Sequence, residues 1–231
     1  MPKALYPNSE LFEIFETKDG SNSVINTRSG DTYHSIHGAL QESTHIFIKN
    51  GLHYAFNLNV KEIFILELGF GTGLNTLLSV KEGFENDRKI FYQTLEKYPL
   101  SEDIIENLHY MTLDDLAKYQ NQFKKLHNST WEVDILINPN FTFSKKLIDF
   151  SNFETNIRFD LIYHDAFSPQ THPEAWSEEF LKKCYNWLKP GGFIITYCAK
   201  GSFKRALKQA GFIVENLIGP IGKREITRAF R

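Results

Sequence analysis

The segment Glu67-Leu68-Gly69-Phe70-Gly71-Thr72-Gly73-Leu74-Asn75 constrains the fold more than any other part of the chain. It follows the run 63–68, which is apolar except for Glu67, the signature of a strand buried on both faces. It leads into a helical pattern over 74–81. A strand, a glycine turn and a helix in that order form the first unit of a doubly wound α/β sheet. Glycines let the turn bend sharply and let a ligand approach the backbone. The helix start then offers unpaired N–H groups and a positive dipole end, which suit a phosphate or a carboxylate.

The rest of the chain repeats the alternation. Strands are expected at 89–95, 131–137, 159–163 and 192–198, with helices at 101–126, 173–188 and 202–210. Two strands in succession, 211–218 and 224–230, close the pattern. They are joined by Gly219-Pro220-Ile221-Gly222 and predict an antiparallel pair at the sheet edge. The first 60 residues read differently. Strands at 11–17 and 23–27 flank Asp19-Gly20, and a helix over 38–49 closes at Asn50-Gly51. The expected organisation is an N-terminal extension, 1–60, packed on a main domain, 61–231. A length of 231 residues suits one α/β domain better than two.

Ligand contacts are expected beyond the carboxyl ends of the strands. The glycine segment is G-x-G-x-G preceded by an acid, not the dinucleotide fingerprint G-x-G-x-x-G. Glu96 ends the second strand, where a carboxylate can accept hydrogen bonds from both hydroxyls of a ribose. That geometry serves nicotinamide and sulfonium nucleosides alike. At the end of 131–137 stand Asn138-Pro139-Asn140, and Asn138 or Asn140 is the residue left to bond an adenine amino group; Asp134 lies inside the strand. After 159–163 comes His164-Asp165-Ala166-Phe167-Ser168-Pro169. Asp165 should reach the reactive end of the ligand, able to orient an amine or take its proton. Phe167 can wall the pocket. His164 reads as a buried histidine.

Several ordered motifs together resemble one family. They are Tyr33-His34-Ser35 with Gly38-Ala39 and Glu42-Ser43, the glycine segment, and Leu95-Glu96-Lys97-Tyr98-Pro99-Leu100. Asp165 to Pro169 with Pro173 and Trp176, Lys189-Pro190-Gly191-Gly192, Ala210-Gly211-Phe212 and Gly222-Lys223-Arg224-Glu225 complete the set. From residue 20 onward the chain is similar to the methyltransferase component of the MnmC-type tRNA wobble-uridine enzymes.

The resemblance implies a class I methyltransferase (Rossmann-like) α/β fold. Its sheet is mostly parallel and seven-stranded with an antiparallel last strand, and a small N-terminal hairpin and helix are attached. It implies S-adenosyl-L-methionine as cofactor, held by Glu67, Gly69, Phe70, Gly71, Thr72, Gly73, Asn75, Glu96 and Asp165, to which the position of Asn138 after the third strand adds an expected adenine contact. Asp165 is the implied catalytic residue. Tyr33, His34, Phe167, Lys200, Lys223 and Arg224 are implied on the substrate side. The implied reaction methylates the aminomethyl nitrogen of 5-aminomethyl-(2-thio)uridine in tRNA. No flavin chemistry is carried over, since no oxidase segment is present, and a separate enzyme is expected to make the precursor. The family often has Gly-Asp after strand three, where this chain has Asn138-Pro139.

Charge and composition narrow the rest. A net charge of −2 excludes a uniformly basic coat, so tRNA must meet local patches. Lys200, Lys204, Arg205 and Lys208 surround one helix, and Lys223, Arg224, Arg228 and Arg231 cluster further on. The two cysteines, Cys184 and Cys198, lie in apolar segments without metal-ligand spacing, so no metal is expected. Without a signal-like or membrane-length apolar run, a cytoplasmic location is expected. A methyltransferase or aminopropyltransferase for a small amine, and a non-catalytic tRNA-binding module, are the alternatives.

Overall fold

The computed structural model describes residues 11–231. Strands β1 (Phe12–Glu16) and β2 (Asn22–Asn26) form an antiparallel hairpin. A helical stretch follows: α1 (Ala39–Ser43), a π-helical segment (Thr44–Leu52) and α2 (His53–Ala55). It therefore runs past Asn50-Gly51, where a stop was expected. Gly51 is not a cap. A Cβ there would stand 3.1 Å from the Ile195 side chain and 3.2 Å from the Tyr163 ring, so glycine lets the helix lie directly on the sheet.

The main unit is a mostly parallel α/β sheet. In chain order its elements are β3 (Glu62–Leu68), α3 (Leu74–Glu85), β4 (Lys89–Glu96), α4 (Glu102–Glu106) and α5 (Gln120–Asn128). Then come β5 (Asp134–Asn138), β6 (Phe141–Leu147), β7 (Phe159–His164), α6 (Glu178–Trp187), β8 (Leu188–Thr196), α7 (Gly201–Gln209), β9 (Ile213–Ile218) and β10 (Glu225–Phe230). The spatial order is β5-β6-β4-β3-β7-β8-β10-β9. Strands β6, β4, β3, β7 and β8 are parallel, β10 is antiparallel to both β8 and β9, and β5 is antiparallel to β6.

The sheet thus has eight strands where the sequence suggests seven. The extra strand is β5, which is the segment expected to be the third parallel strand. It turns back through Pro139-Asn140 into β6, and β6 takes the place beside β4.

Side chains alternate across the sheet. Ile63 and Ile65 of β3, with Leu161 and Tyr163 of β7, join α3, α5 and the residue 44–52 helix in one core. Leu66, Leu68 and Ile162 join α6 and α7 in the other. Ser177 starts α6 with its Oγ accepting from the Phe180 N–H at 3.2 Å, which confines the α-helix to residues after the 3-10 turn at 173–176. Among the described residues no helix is long and apolar enough to cross a membrane.

Candidate active site

The carboxyl ends of β3, β4, β6 and β7 open into one cavity of about 390 Å³, within the size range of small-ligand sites, roughly 300–1,000 Å³. Its floor is the turn between β3 and α3. Gly69, Gly71 and Gly73 have φ of 97°, 52° and 74°, values at which a side chain strains the backbone. A Cβ on Gly71 would also stand 3.0 Å from the Tyr33 ring, so glycine lets that ring pack directly against the turn. Gly69, Phe70, Gly71, Thr72 and Asn75 line the cavity. Thr72 is fixed from behind by the Tyr110 hydroxyl at 3.0 Å, and Phe70 packs on His127 and Phe143.

Glu96 ends β4. Its carboxylate accepts from the Gly71 N–H at 3.0 Å and the Tyr98 N–H at 2.7 Å, tying the glycine turn to the neighbouring strand tip. One strand further out, Asp149 and Phe150 follow β6 and line the same cavity. Asp149 accepts from Ser151 N–H at 3.0 Å and from Lys97 Nζ at 2.8 Å. Burial opposes its charge, but Lys97 and Ser151 outweigh that and hold it below the ordinary carboxylate value.

Asp165 follows β7. Its Oδ2 accepts from Asn75 Nδ2 at 2.8 Å. Desolvation raises its carboxyl to about 7; the Asn75 bond and Lys223 pull down, and Glu42 pushes up. Phe167 and Tyr33 meet edge to face at 5.0 Å beside it. The Trp176 Nε1–H donates to the Phe167 carbonyl at 2.8 Å and the Tyr197 hydroxyl to the Ala166 carbonyl at 2.9 Å, so the loop backbone is held on both sides. His34 also lines the cavity, with Nδ1 3.0 Å from Ser23 Oγ, and burial lowers its imidazole to about 4. His164 lies in the core, where its Nε2 meets the Ala175 carbonyl at 2.8 Å.

Five expected site residues lie elsewhere. Glu67 is fully buried, on the same face of β3 as Ile63 and Ile65, and points under α3. One carboxyl oxygen accepts from Thr76 Oγ1 at 3.1 Å, and the hydroxyls of Thr94 and Tyr92 also face the carboxyl. Burial, with a smaller push from Asp165, outweighs the hydroxyls of Thr94, Tyr92 and Thr76 and raises it to about 8, so it is an uncharged acid beneath the cavity floor and does not line it. Gly73 faces α5: a Cβ there would stand 2.8 Å from His127 Nε2. Asn138 belongs to the β5–β6 turn. Its Oδ1 accepts from Asn140 N–H at 2.8 Å, and the Asn140 carbonyl accepts from Ile90 at the start of β4. That is the amino end of the parallel strands, opposite the cavity. Lys200 and Arg224 line a neighbouring groove of about 600 Å³, with Lys223, Tyr197 and Ser168 shared between the two spaces.

Sequence reasoning missed Asp149, Glu42 and Tyr197 as lining residues. The alternation Phe141-Thr142-Phe143-Ser144 ending at Ile148-Asp149 is the strand-to-acid signal that points to the first. Glu42 stood in a quoted motif without an assigned place.

An adenosine-type sulfonium fits this cavity. The carboxylates of Glu96, Asp149 and Asp165 with several aromatic rings suit a cation and its ribose and base hydrogens. Among the described residues no group of three or more His, Cys, Asp or Glu side chains could share a metal ion.

Comparison with known proteins agrees with the geometry. Residues 107–231 match a family of S-adenosyl-L-methionine-dependent methyltransferases. The bifunctional proteins for tRNA 5-methylaminomethyl-2-thiouridine biosynthesis, MnmC, from Leptospira interrogans and Cupriavidus metallidurans are 31% and 28% identical. Each match covers 87% of this chain, but only 33% and 31% of the relative. The chain thus spans about a third of the length of these relatives. The crystal structure of MnmC2 from Aquifex aeolicus superposes with a TM-score of 0.79 at 26% identity, covering 96% of this chain and 71% of that one.

Proposed function

Since the chain belongs to this family of S-adenosyl-L-methionine-dependent methyltransferases, we propose that it methylates the aminomethyl nitrogen of 5-aminomethyl-(2-thio)uridine at the tRNA wobble position. The observation that carries the reading is Asp165, at the tip of β7, held by Asn75 and raised to about 7 by desolvation. The chemistry supplied at this site by the bound cofactor is an electrophilic methyl carbon on a sulfonium. An amine acceptor must present a free lone pair, so it must arrive neutral or lose a proton. A carboxylate that takes protons near neutral pH can do that, and can aim the lone pair by accepting the remaining N–H.

Glu96 receives the ribose hydroxyls and Asp149 the adenine amino group. The glycine turn with Asn75 holds the methionine portion. Tyr33 and Phe167 wall the acceptor side and His34 backs them as a neutral imidazole. Lys200 and Arg224, exposed along the adjoining groove, meet tRNA phosphates. The relatives named for 5-methylaminomethyl-2-thiouridine biosynthesis support this acceptor. The reaction needs a uridine already bearing a primary aminomethyl group, which a separate activity must supply.

The test is transfer of labelled methyl groups into tRNA carrying the aminomethyl modification. Incorporation into that tRNA, and none into tRNA lacking the group, is expected. Methylation of free amines with tRNA untouched overturns the acceptor assignment. Failure to bind the cofactor in calorimetry overturns the enzyme reading in favour of a tRNA-binding module.

A further inference from the structure

Glu42 is a further carboxylate of the cavity lining, outside the roles assigned above. It lies on α1 and is 7% exposed. Its Oε2 accepts from the Ser35 N–H at 2.7 Å, and its Oε1 lies 2.7 Å from Lys223 Nζ. Lys223 comes from the turn between β9 and β10. Its ammonium also lies over the Tyr197 ring at 4.6 Å, and its side chain borders both the cavity and the neighbouring groove. Glu42 is buried while the Lys223 side chain keeps 30% of its surface exposed, and desolvation offsets much of such a pair's attraction, so stability alone is a weak reason for it. The pair also joins two segments far apart in sequence at the wall that carries Asp165, Tyr33 and Phe167. Asn75, 4% exposed, adds an amide oxygen with no partner among the described residues. The acceptor side therefore collects hydrogen-bond acceptors around one cation.

We propose that Glu42 and Lys223 are positioning residues of the acceptor-amine site: Glu42 with Asp165 attracts the protonated aminomethyl group, and Lys223 offsets the second negative charge so that the amine can give up its proton. The inference rests on the reading of the acceptor as an amine. Two carboxylates alone would bind an ammonium well but hold it protonated, with no lone pair for transfer. One carboxylate alone would recognise it less. A cation beside them reconciles recognition with deprotonation: the ammonium gives its proton to the Asp165 carboxylate, leaving a neutral amine and a neutral acid. Glu67 from β3, below the floor, and Tyr197 beyond the end of β8 also couple to Asp165, and burial keeps both uncharged at neutral pH. His34, neutral through burial, couples to both Glu42 and Lys223, and Asp31, His172 and Glu174 are further titratable groups of the cavity lining.

The experiment is the pH dependence of kcat with aminomethyl-bearing tRNA for the wild type, Glu42→Gln and Lys223→Met. Removing a negative neighbour lowers the apparent pKa of the ascending limb, and removing a positive one raises it, whether the limb reports the bound amine or Asp165. Shifts of about one unit in opposite directions are expected, in the range that a neighbouring charge exerts. Glu42→Gln should also raise KM several-fold, while cofactor affinity by calorimetry stays within twofold for both variants. Glutamine keeps an acceptor for the Ser35 N–H, and retained cofactor binding reports a folded protein. Limbs that shift together or not at all overturn the inference, as does a loss of cofactor affinity in Glu42→Gln, which would assign Glu42 to the methionine amino group instead. A wild type that does not methylate this tRNA overturns the functional reading, and the inference with it.

Discussion

Asp165 and Asp149 are both acids at strand tips, and their surroundings send them in opposite directions. Asp149 has a lysine and two donors from Ser151 and stays charged, while Asp165 has one amide donor and a carboxylate neighbour and is raised to about 7. Their tendencies to hold a proton are thereby set apart within one cavity. Asp165→Ala is expected to lower kcat by about 100-fold or more, the scale of general acid–base catalysis, with cofactor affinity little changed. Single-turnover rates beside calorimetry check this, and a near-normal rate would remove Asp165 from the proton path. Both Asp165 and Glu96 were legible in the sequence because each closes an apolar run of residues buried in parallel strands. Glu67 was misread although its spacing held the answer: it stands two residues after Ile65 and four after Ile63, on the face that packs under α3. A strand end marks a tip, but the alternation decides which way the tip side chain points.

The β5–β6 hairpin is where local reading ran out. Residues 131–137 and 141–147 both have strand character, and nothing local says which of them lies next to β4. That choice is made by pairing with Ile90 to Glu96, which is distant in sequence. Choosing the earlier segment moved the adenine contact to Asn138, at the wrong end of the sheet. Asp149→Ala is therefore expected to weaken S-adenosyl-L-methionine binding by about tenfold, the loss of one hydrogen bond to a charged group, ~1.5 kcal/mol. Asn138→Ala should leave the dissociation constant within twofold. Equal losses in titration calorimetry would contradict the assignment. The helix through residue 55 shows the same limit. Asn50-Gly51 carries a stop signal, yet Gly51 serves close packing against Ile195 and Tyr163, an override by tertiary contact that no local rule contains.

At the scale of the molecule, the N-terminal segment is tied to distant parts of the chain. Lys223 reaches Glu42, Thr171 Oγ1 donates to Asp31 Oδ2 at 2.9 Å, and Arg228 Nη1 donates to the Asn50 carbonyl at 3.2 Å. The interior also concentrates groups that burial keeps uncharged, which gives stability a definite pH dependence. Folded His34 and His164 resist protonation down to about 4 and His127 to about 3, so stability is lost as pH falls below their ordinary 6.5. Glu67 and Asp165 act with the other sign. The unfolded chain ionises them at their ordinary 4.5 and 3.8, whereas the folded chain keeps its protons to about 8 and 7, so stability is lost as pH rises through that interval. Above 6.5 the imidazoles no longer contribute a slope, and Lys145, lowered to about 8 by burial, opposes the trend only from about there upward. The cofactor-free protein should thus lose melting temperature between pH 6.5 and 8, and Glu67→Gln should flatten most of that decline; an unchanged slope in scanning calorimetry would count against a buried neutral Glu67. The strand order carries one more consequence, for synthesis. Strand β10 lies between β8 and β9, yet its residues leave the ribosome after both. Until they emerge, β8 has an unpaired edge and β9 has no neighbour, so the half-made sheet is an open template for other chains. The cell must shield that edge, or the ribosome must hold it, for as long as the last strand is missing.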